Sequence, residues 1–152
     1  MQVLGIAIKG GKRAPMQEIT EVKITESSGL EGDFRGRGGM MRKRQVTVLC
    51  VHQWRKACQE LCVELPWHTR RANLFVDCPS FGPDIVGKEM YFHDEGALGT
   101  ILEIIGETDP CKRMDEAHEG LRRVLTPDWR GGVTCRVVQG GVVRLGSWIS
   151  FL

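Results

Sequence analysis

Apolar residues in this chain fall mainly into short runs that are rich in β-branched side chains and bounded by glycine, proline or polar residues. Runs of this length and composition are typical of β-strands. A turn at 93–96 predicts one antiparallel pair, and Gln139-Gly140-Gly141 predicts a hairpin to the last strand. The predicted strands cover residues 2–8, 18–25 (with a bulge), 44–50, a run ending at 77, 85–92, 97–105, 133–138 and 142–151.

Two segments have helical spacing instead. In residues 51–65 the apolar face includes Cys58 and Cys62, one helical turn apart. Two thiols at this spacing can share a metal ion, but their place on the apolar face favours packing in the core. Residues 114–125 repeat apolar side chains at the same helical interval. Many strands with two helical segments predict a mainly β, antiparallel fold with a few short helices.

Composition narrows the class of protein. The chain has 152 residues, enough for one domain with a substantial core, so we expect a single domain over residues 1–152. A formal net charge of +2 and 7% aromatic residues argue against a nucleic-acid partner despite the clustered arginines. No apolar run approaches membrane-spanning length, so no membrane partner is expected. Six cysteines without a secretory signal indicate a reducing compartment, and we expect a cytoplasmic protein with free thiols.

Cys111 is the main candidate for a reactive or metal-binding side chain. It stands between a buried strand and a helical segment. Thr108 or Asp109 is predicted to cap the helix and Pro110 to occupy its first position, which places Cys111 in the first turn. Unpaired backbone N–H groups there, and the two basic residues that follow, stabilise a thiolate over a thiol. This environment predicts a catalytic thiol or a metal ligand.

Other roles for Cys111 stay open. Acidic residues at 109, 115 and 116 partly cancel the positive field, so an ordinary half-buried cysteine is the alternative. A Cys–His hydrolase or transferase is a further class to weigh. His118 lies seven residues after Cys111, about 10 Å along a helix that rises 1.5 Å per residue. Because this exceeds hydrogen-bond reach, His118 is not expected to act as the base for Cys111.

Two basic segments are candidate sites for an anionic ligand. Residues 29–44 combine glycines with five basic residues, and such a backbone can approach phosphate oxygens closely while arginines bind them. Residues 66–77 place arginines and an asparagine at the start of a strand. Solvated basic side chains are the alternative for both segments. The candidate ligand-binding residues here are Arg35, Arg37, Arg44, Arg71 and Asn73.

Several short elements, taken in order, give the chain a resemblance to a known family. It resembles the MOSC domain, the module named after the C-terminal region of molybdenum cofactor sulfurase. The resemblance covers nearly the whole chain, without the aminotransferase-like domain of the full sulfurase. The matching elements are Gly29-Leu-Glu-Gly-Asp33, Arg44-Gln-Val46, Arg71-Ala-Asn-Leu74, Asp109-Pro-Cys111, Trp129-Arg-Gly-Gly-Val133 and the closing glycines up to Gly146.

The resemblance implies a MOSC-type antiparallel β-barrel and a role for its signature cysteine, which maps to Cys111. In this family that cysteine is proposed to ligate molybdenum or to carry sulfur as a persulfide. The implied cofactor is the molybdenum cofactor, whose molybdopterin carries a phosphate, and the basic residues above together with Arg130 are its expected contacts. Pyridoxal phosphate serves the other domain of the full sulfurase and is not expected here.

Two functions follow from the resemblance, and the sequence leaves both open. A molybdenum-ligating Cys111 implies reduction of N-hydroxylated compounds, with electrons from an external reductase. A sulfur-carrying Cys111 implies a non-enzymatic carrier of sulfur or cofactor to an acceptor molybdoenzyme. Two departures from the family pattern bear on polar contacts: Ala72 stands where many members have glutamate, and Ser147 stands where the last Gly-Asp pair has aspartate.

Overall fold

The computed structural model describes residues 1–36 and 44–152, and it is mainly β with a few short helices. Its helices are α1 (Val51–Glu60), α2 (Lys112–Ala117) and α3 (Leu121–Leu125), with short 3₁₀ turns at Trp67–Arg70, Pro83–Ile85 and Pro127–Trp129. Its strands are β1 (Gln2–Ile8), β2 (Gln17–Ile19), β3 (Glu21–Thr25), β4 (Gly29–Leu30), β5 (Val46–Cys50), β6 (Leu74–Asp77), β7 (Glu89–Asp94), β8 (Ala97–Glu107), β9 (Val133–Gln139), β10 (Gly141–Arg144) and β11 (Ile149–Phe151).

Eight of these strands form one curled sheet in the order β11-β7-β8-β9-β5-β6-β1-β2, and β10, β3 and β4 form a second, smaller sheet. Pairing is antiparallel except between β5 and β6. A parallel pair needs a crossover connection, and α1 with the 3₁₀ turn after it supplies one. This arrangement confirms the predicted class, a mainly β, largely antiparallel fold with a few short helices, and the large sheet curls into a half-barrel.

Strand β5 shows how the sequence pattern sets the layers. All five of its residues are buried, because the two faces of the strand are covered by different parts of the protein. Val46 and Val48 face the core between the sheets, whereas Leu49 packs in a second cluster with Trp54 of α1 and Leu121 of α3. The helices therefore cover the outer face of the central strands.

The predicted strand 18–25 is wrong as a single element. It divides at Thr20 into β2, which pairs with β1, and β3, which pairs with β10 in the other sheet. The carbonyl oxygen of Thr20 accepts a 3.0 Å hydrogen bond from the backbone N–H of Leu145. The irregular alternation read as a bulge therefore marks the point where the chain changes sheets.

The predicted hairpin at 139–141 is also wrong, whereas the pair joined at 93–96 is confirmed as β7–β8. Only Gly140 separates β9 from β10, which is too short for a reversal, and β10 pairs with β3. A Cβ atom at Gly140 would lie 2.5 Å from the carbonyl oxygen of Ile24. Glycine thus allows the chain to bend closely past β3, and the predicted strand 142–151 becomes β10 and β11.

The helical segments are shorter than predicted. Helix α1 ends at Glu60, which leaves Cys58 buried and Cys62 exposed at a positive φ of 55° beyond the helix. The segment 114–125 is two helices, divided at Gly120 with φ 86°. None of the helices in the described ranges is long and apolar enough to cross a membrane.

Candidate functional site

Cys111 lies at the junction between β8 and α2, as predicted, but its local environment differs from the prediction. Cys111 is the N-cap residue of α2, with an extended backbone (φ −113°, ψ 178°), so Pro110 precedes the helix rather than starting it. The helix has six residues and ends before His118. A helix this short contributes little dipole, so the surroundings of the exposed Cys111 thiol depend mainly on tertiary neighbours.

Those neighbours form a cavity of about 110 Å³. Cys111 is one of its lining residues, and five cationic side chains share the lining with it. Within residues 1–36 and 44–152, no Asp or Glu lines this cavity. The site is therefore electropositive, and among the described residues it offers one thiol sulfur, from Cys111, and one thioether sulfur, from Met114. The residues lining it are Lys9, Arg35, Thr47, Arg70, Arg71, Ala72, Thr108, Cys111, Arg113, Met114 and Gly131.

Arg70 forms the inner wall of the cavity. Its side chain is almost fully buried, with 7% of the residue exposed. Its Nε donates to the carbonyl oxygen of Gly131 at 2.9 Å, and Nη2 donates to that of Thr108 at 3.0 Å. Burial lowers the pKa of Arg70 to about 10, while the charges of Cys111 and Asp109 act to raise it. The Cys111 sulfur therefore lies within electrostatic range of a buried guanidinium.

Arg71 adopts a left-handed backbone conformation, with φ 66° and ψ 29°, at the end of the 3₁₀ turn. Non-glycine residues rarely adopt this conformation, and such strain is concentrated at functional sites. The Nη2 atom of Arg71 donates to the carbonyl oxygen of Ala14 at 2.6 Å. Its Nε is buried without a hydrogen-bond partner among the described atoms. Arg70 and Arg71 are consecutive, and both line the cavity because the backbone turns at this point.

Asn73 was predicted to contact the ligand, but the structure gives it a supporting position behind the cavity. Its side chain is fully buried, and its Oδ1 accepts hydrogen bonds from the backbone N–H of Thr47 and from Nη1 of Arg35, both at 3.0 Å. Its amide donates to the carbonyl oxygen of Ala7 at 3.2 Å. Asn73 therefore fixes the guanidinium of Arg35, which lines the cavity as predicted.

The backbone beside Arg35 depends on a glycine. A Cβ atom at Gly36 would lie 1.6 Å from the carbonyl oxygen of Ser28, so no other residue fits this approach without rearrangement. The glycine-rich segment therefore positions Arg35 by close backbone contact. The neighbouring candidate Arg37 lies outside the described residues.

Two other predicted contacts are not brought into the cavity. Arg44 is exposed just before β5 and does not line it. Arg130 is buried elsewhere, where it pairs with Glu60 of α1 and donates to the carbonyl oxygen of Val124 at 3.0 Å. Arg130 does not line this cavity because the chain turns at this point: Gly131 lines the cavity, while the Arg130 side chain points to α1 and α3.

Sequence reasoning missed Lys9, which follows β1 and is 8% exposed. Burial, together with the charges of Arg35, Arg71 and Arg113, lowers the pKa of Lys9 to about 8, although Asp33 opposes this shift. The only local signal was a lysine directly after a buried strand. Lys9 and Cys111 are 102 positions apart, so nothing in either segment indicates the other.

The two departures from the family pattern fall in different places. Ala72 is buried and lines the cavity, so the absence of a carboxylate there leaves the cationic lining unopposed. Ser147 lies in the turn between β10 and β11, where its Oγ accepts a 2.9 Å hydrogen bond from the backbone N–H of Arg144. The change at Ser147 therefore affects a turn and not the candidate site.

Solved structures share this fold over its full length. The YuaD protein of Bacillus subtilis matches with a TM-score of 0.77 and 19% identity, covering 99% of this chain and 94% of that chain. YiiM of Geobacillus stearothermophilus matches with a TM-score of 0.74 and 12% identity, over 99% and 74% of the two chains. YiiM of Escherichia coli matches with a TM-score of 0.69 and 14% identity, over 100% and 70%.

YiiM is a MOSC-domain protein, so these similarities establish a MOSC-like fold for this chain. No family model and no curated protein matches the sequence. The resemblance seen in the sequence motifs and the similarity of the folds thus agree on the architecture.

Proposed function

We propose that this chain binds the molybdenum cofactor, with Cys111 as the molybdenum ligand or as a carrier of persulfide sulfur. The observation that carries the proposal is the shared cavity: one cysteine faces five cationic side chains and, among the described residues, no carboxylate. Thiolate is a suitable ligand for a soft metal, and an anionic cofactor needs positive charge around it. A half-buried cysteine with only a packing role would need neither the cationic lining nor the absence of carboxylates from it.

The residues present fit such a group. Two buried polar atoms of the lining, Arg71 Nε and Thr108 Oγ1, have no hydrogen-bond partner among the described atoms, and buried polar groups are usually satisfied. The volume of about 110 Å³ is smaller than the roughly 300–1,000 Å³ of pockets that enclose whole ligands. The cavity therefore suits the metal-bound or phosphate end of the cofactor, and the remainder of the pterin would extend outside it.

When bound, the cofactor would supply two-electron redox chemistry for reduction of N-hydroxylated compounds, with electrons from an external reductase. The chain's own residues would bind the cofactor and orient it. Cys111 would ligate the metal, Arg35 and Arg71 would offset negative charge, and Arg70 would hold the loop that carries Cys111. Because Arg70 is buried and hydrogen-bonded to backbone on both sides, its contribution is to position that loop.

A sulfur carrier is the second candidate, and the exposed thiol of Cys111 favours it. The thiolate would attack the terminal sulfur of a donor persulfide, R–S–SH, so that the S–S bond of the donor breaks, Cys111–S–SH forms and the donor leaves as R–S⁻, which takes up a proton from water. Transfer of the outer sulfur to an acceptor molybdoenzyme would regenerate the thiol.

The test compares the wild type, Cys111→Ser and Cys62→Ser after expression in a host that makes the cofactor. Cys62 is the matched control, because it is exposed but lies outside the cavity. Each purified protein is analysed for molybdenum and, after oxidative release, for pterin fluorescence. Near-stoichiometric molybdenum and pterin in the wild type and in Cys62→Ser, with metal lost from Cys111→Ser, is the expected result.

The other outcomes separate the two candidates. If no variant holds metal or pterin, cofactor binding is wrong, and mass spectrometry of Cys111 for a persulfide then tests the carrier. If the wild type holds the cofactor and Cys111→Ser retains its molybdenum, Cys111 is not the ligand. Turnover of an amidoxime by the loaded wild type with a reductase would argue against a carrier without enzymatic activity.

A further inference from the structure

Lys9 has an unusual position for a lysine. Its residue is 8% exposed, yet its side chain lines the Cys111 cavity. The backbone around it is held by two hydrogen bonds, from Lys9 N to Asp33 Oδ1 at 2.9 Å and from Phe34 N to Lys9 O at 2.7 Å. Across residues 1–36 and 44–152, its Nζ has no hydrogen-bond or ion-pair partner.

The stem of Lys9 is buried, whereas its Nζ is not one of the buried atoms without a partner, so the amine is accessible from the cavity that it lines. Burial first, and then the charges of Arg35, Arg71 and Arg113, lower the pKa of Lys9 from 10.5 to about 8, with Asp33 opposing. At neutral pH this raises the fraction of neutral amine by about two orders of magnitude over an ordinary lysine. A neutral amine has a free electron pair and is a nucleophile, and neighbouring cations are a known way to produce one.

The same cavity can hold the partner that such an amine attacks. Guanidinium groups bind carboxylates through paired hydrogen bonds, and Arg71 Nε is buried without a partner among the described atoms. The volume of about 110 Å³ admits a molecule equivalent to a few waters, which restricts the ligand to small acids. A 2-oxo acid has a carbonyl group next to its carboxylate. It therefore offers a carbon that the amine can attack and an anion that the arginines can bind, in the fewest atoms.

We propose that Lys9 is a nucleophile that forms an imine with small 2-oxo acids bound in this cavity. The amine nitrogen adds to the carbonyl carbon, so that a C–N bond forms and the carbonyl oxygen gains a proton. The resulting carbinolamine loses water, and C=O is replaced by C=N. No electrons are exchanged, and no metal is needed. The reaction is therefore independent of the proposed cofactor, although it occurs in the same cavity.

The test uses the metal-free full chain with glyoxylate as the probe and cyanoborohydride as the trap, followed by peptide mass mapping. Cyanoborohydride reduces the imine to a stable secondary amine, whereas reversible addition to the Cys111 thiol leaves no trapped product. Lys12, exposed three positions further on, is the internal control. We expect labelling of Lys9 at least tenfold faster than labelling of Lys12 at pH 7.5, and competition by excess phosphate.

Variants separate this activity from cofactor binding. Lys9→Arg retains the charge but cannot form an imine, and it should abolish the fast labelling, whereas Lys12→Arg should not. Cys111→Ser should still be labelled at Lys9, even though it loses the metal under the proposed function. Labelling of Lys9 no faster than Lys12, or labelling unaffected by phosphate, would overturn the proposal. This comparison is made within the wild type, so it holds even if Lys9→Arg fails to fold.

Discussion

The Nε atom of Arg70 donates a 2.9 Å hydrogen bond to the carbonyl oxygen of Gly131, and this contact joins two loops that are distant in sequence. The same guanidinium reaches the carbonyl oxygen of Thr108, and the backbone N–H of Thr108 donates to Gly132 at 2.9 Å. The loop before Cys111 is therefore held against the loop before β9. The geometry of the candidate site depends on these hydrogen bonds between the two loops.

Arg70→Lys should destabilise the protein. An ammonium group cannot reproduce two divergent hydrogen bonds, and hydrogen bonds to a charged group are worth about 1.5–3 kcal/mol each. We expect the free energy of unfolding in urea to fall by about 2–4 kcal/mol. Arg55→Lys, on the exposed face of α1, is the control and should change it by less than about 0.5 kcal/mol. Equal losses of unfolding free energy in the two variants would show that the hydrogen bonds of Arg70 do not hold the two loops together.

Gly131→Ala should displace the loop that carries Cys111. A Cβ atom there would lie 2.4 Å from the carbonyl oxygen of Thr108 and 3.2 Å from Nη2 of Arg70, so backbone must move. Overpacking of this kind costs about 1–3 kcal/mol, and the reaction rate of Cys111 with a maleimide should change as well. Gly106→Ala is the matched control, because a Cβ atom at that position meets nothing within 4 Å. An unchanged rate in Gly131→Ala would show that the contact does not position the thiol.

Ala72→Glu and Ala72→Gln form a pair of similar size that differs in charge. Because Ala72 lines the cavity, a glutamate there would pair with the surrounding cations and reduce their attraction for an anion. We expect Ala72→Glu to bind molybdate at least tenfold more weakly than Ala72→Gln, as measured by isothermal titration calorimetry. Equal affinities would mean that the cavity does not bind anions through its charge.

Arg130→Ala tests whether that side chain, which lies outside the cavity, contributes to ligand binding. It removes the pair with Glu60 and the hydrogen bond to Val124, so the free energy of unfolding should fall by about 1–3 kcal/mol. The affinity for molybdate should stay within twofold of the wild type, whereas Arg71→Ala should lower it strongly. A loss of affinity in Arg130→Ala as large as that in Arg71→Ala would restore Arg130 as a ligand contact.

Lys9→Met should make the protein more stable at pH 7. The pKa of Lys9 is lowered to about 8 in the folded state, against 10.5 for the free side chain. Between pH 8 and pH 10.5, Lys9 is therefore protonated more often in the unfolded chain than in the folded protein. Folding is therefore penalised below pH 8, and the penalty is relieved as the pH rises towards 10.5. The advantage of Lys9→Met in urea unfolding should be largest at pH 7 and decrease by pH 10. Lys12→Met controls for the loss of one positive charge, and a constant advantage across this range would contradict the shift.

The local sequence pattern was sufficient to place a residue in the fold wherever its position depends on its neighbours along the chain. The buried run before Gly106 and the helical spacing after it placed Cys111 at a strand–helix junction. The glycine at 140 was recognised as a turn signal, but the identity of the strand that β10 pairs with depends on residue 24, far back in the chain. Sequence therefore predicted most strands and failed at the points where the chain changes sheets.

The sequence by itself determined the β-rich class, the position of Cys111 and the basic character of the segments around Arg35 and Arg71. Only the tertiary structure decided which cations meet the thiol. It brought Lys9 and Arg70 to the cavity, placed Asn73 behind Arg35, and turned Arg130 away towards Glu60. The physical reason is that periodicity reports contacts within a segment, whereas a cavity forms from segments that only the order and curvature of the strands bring together.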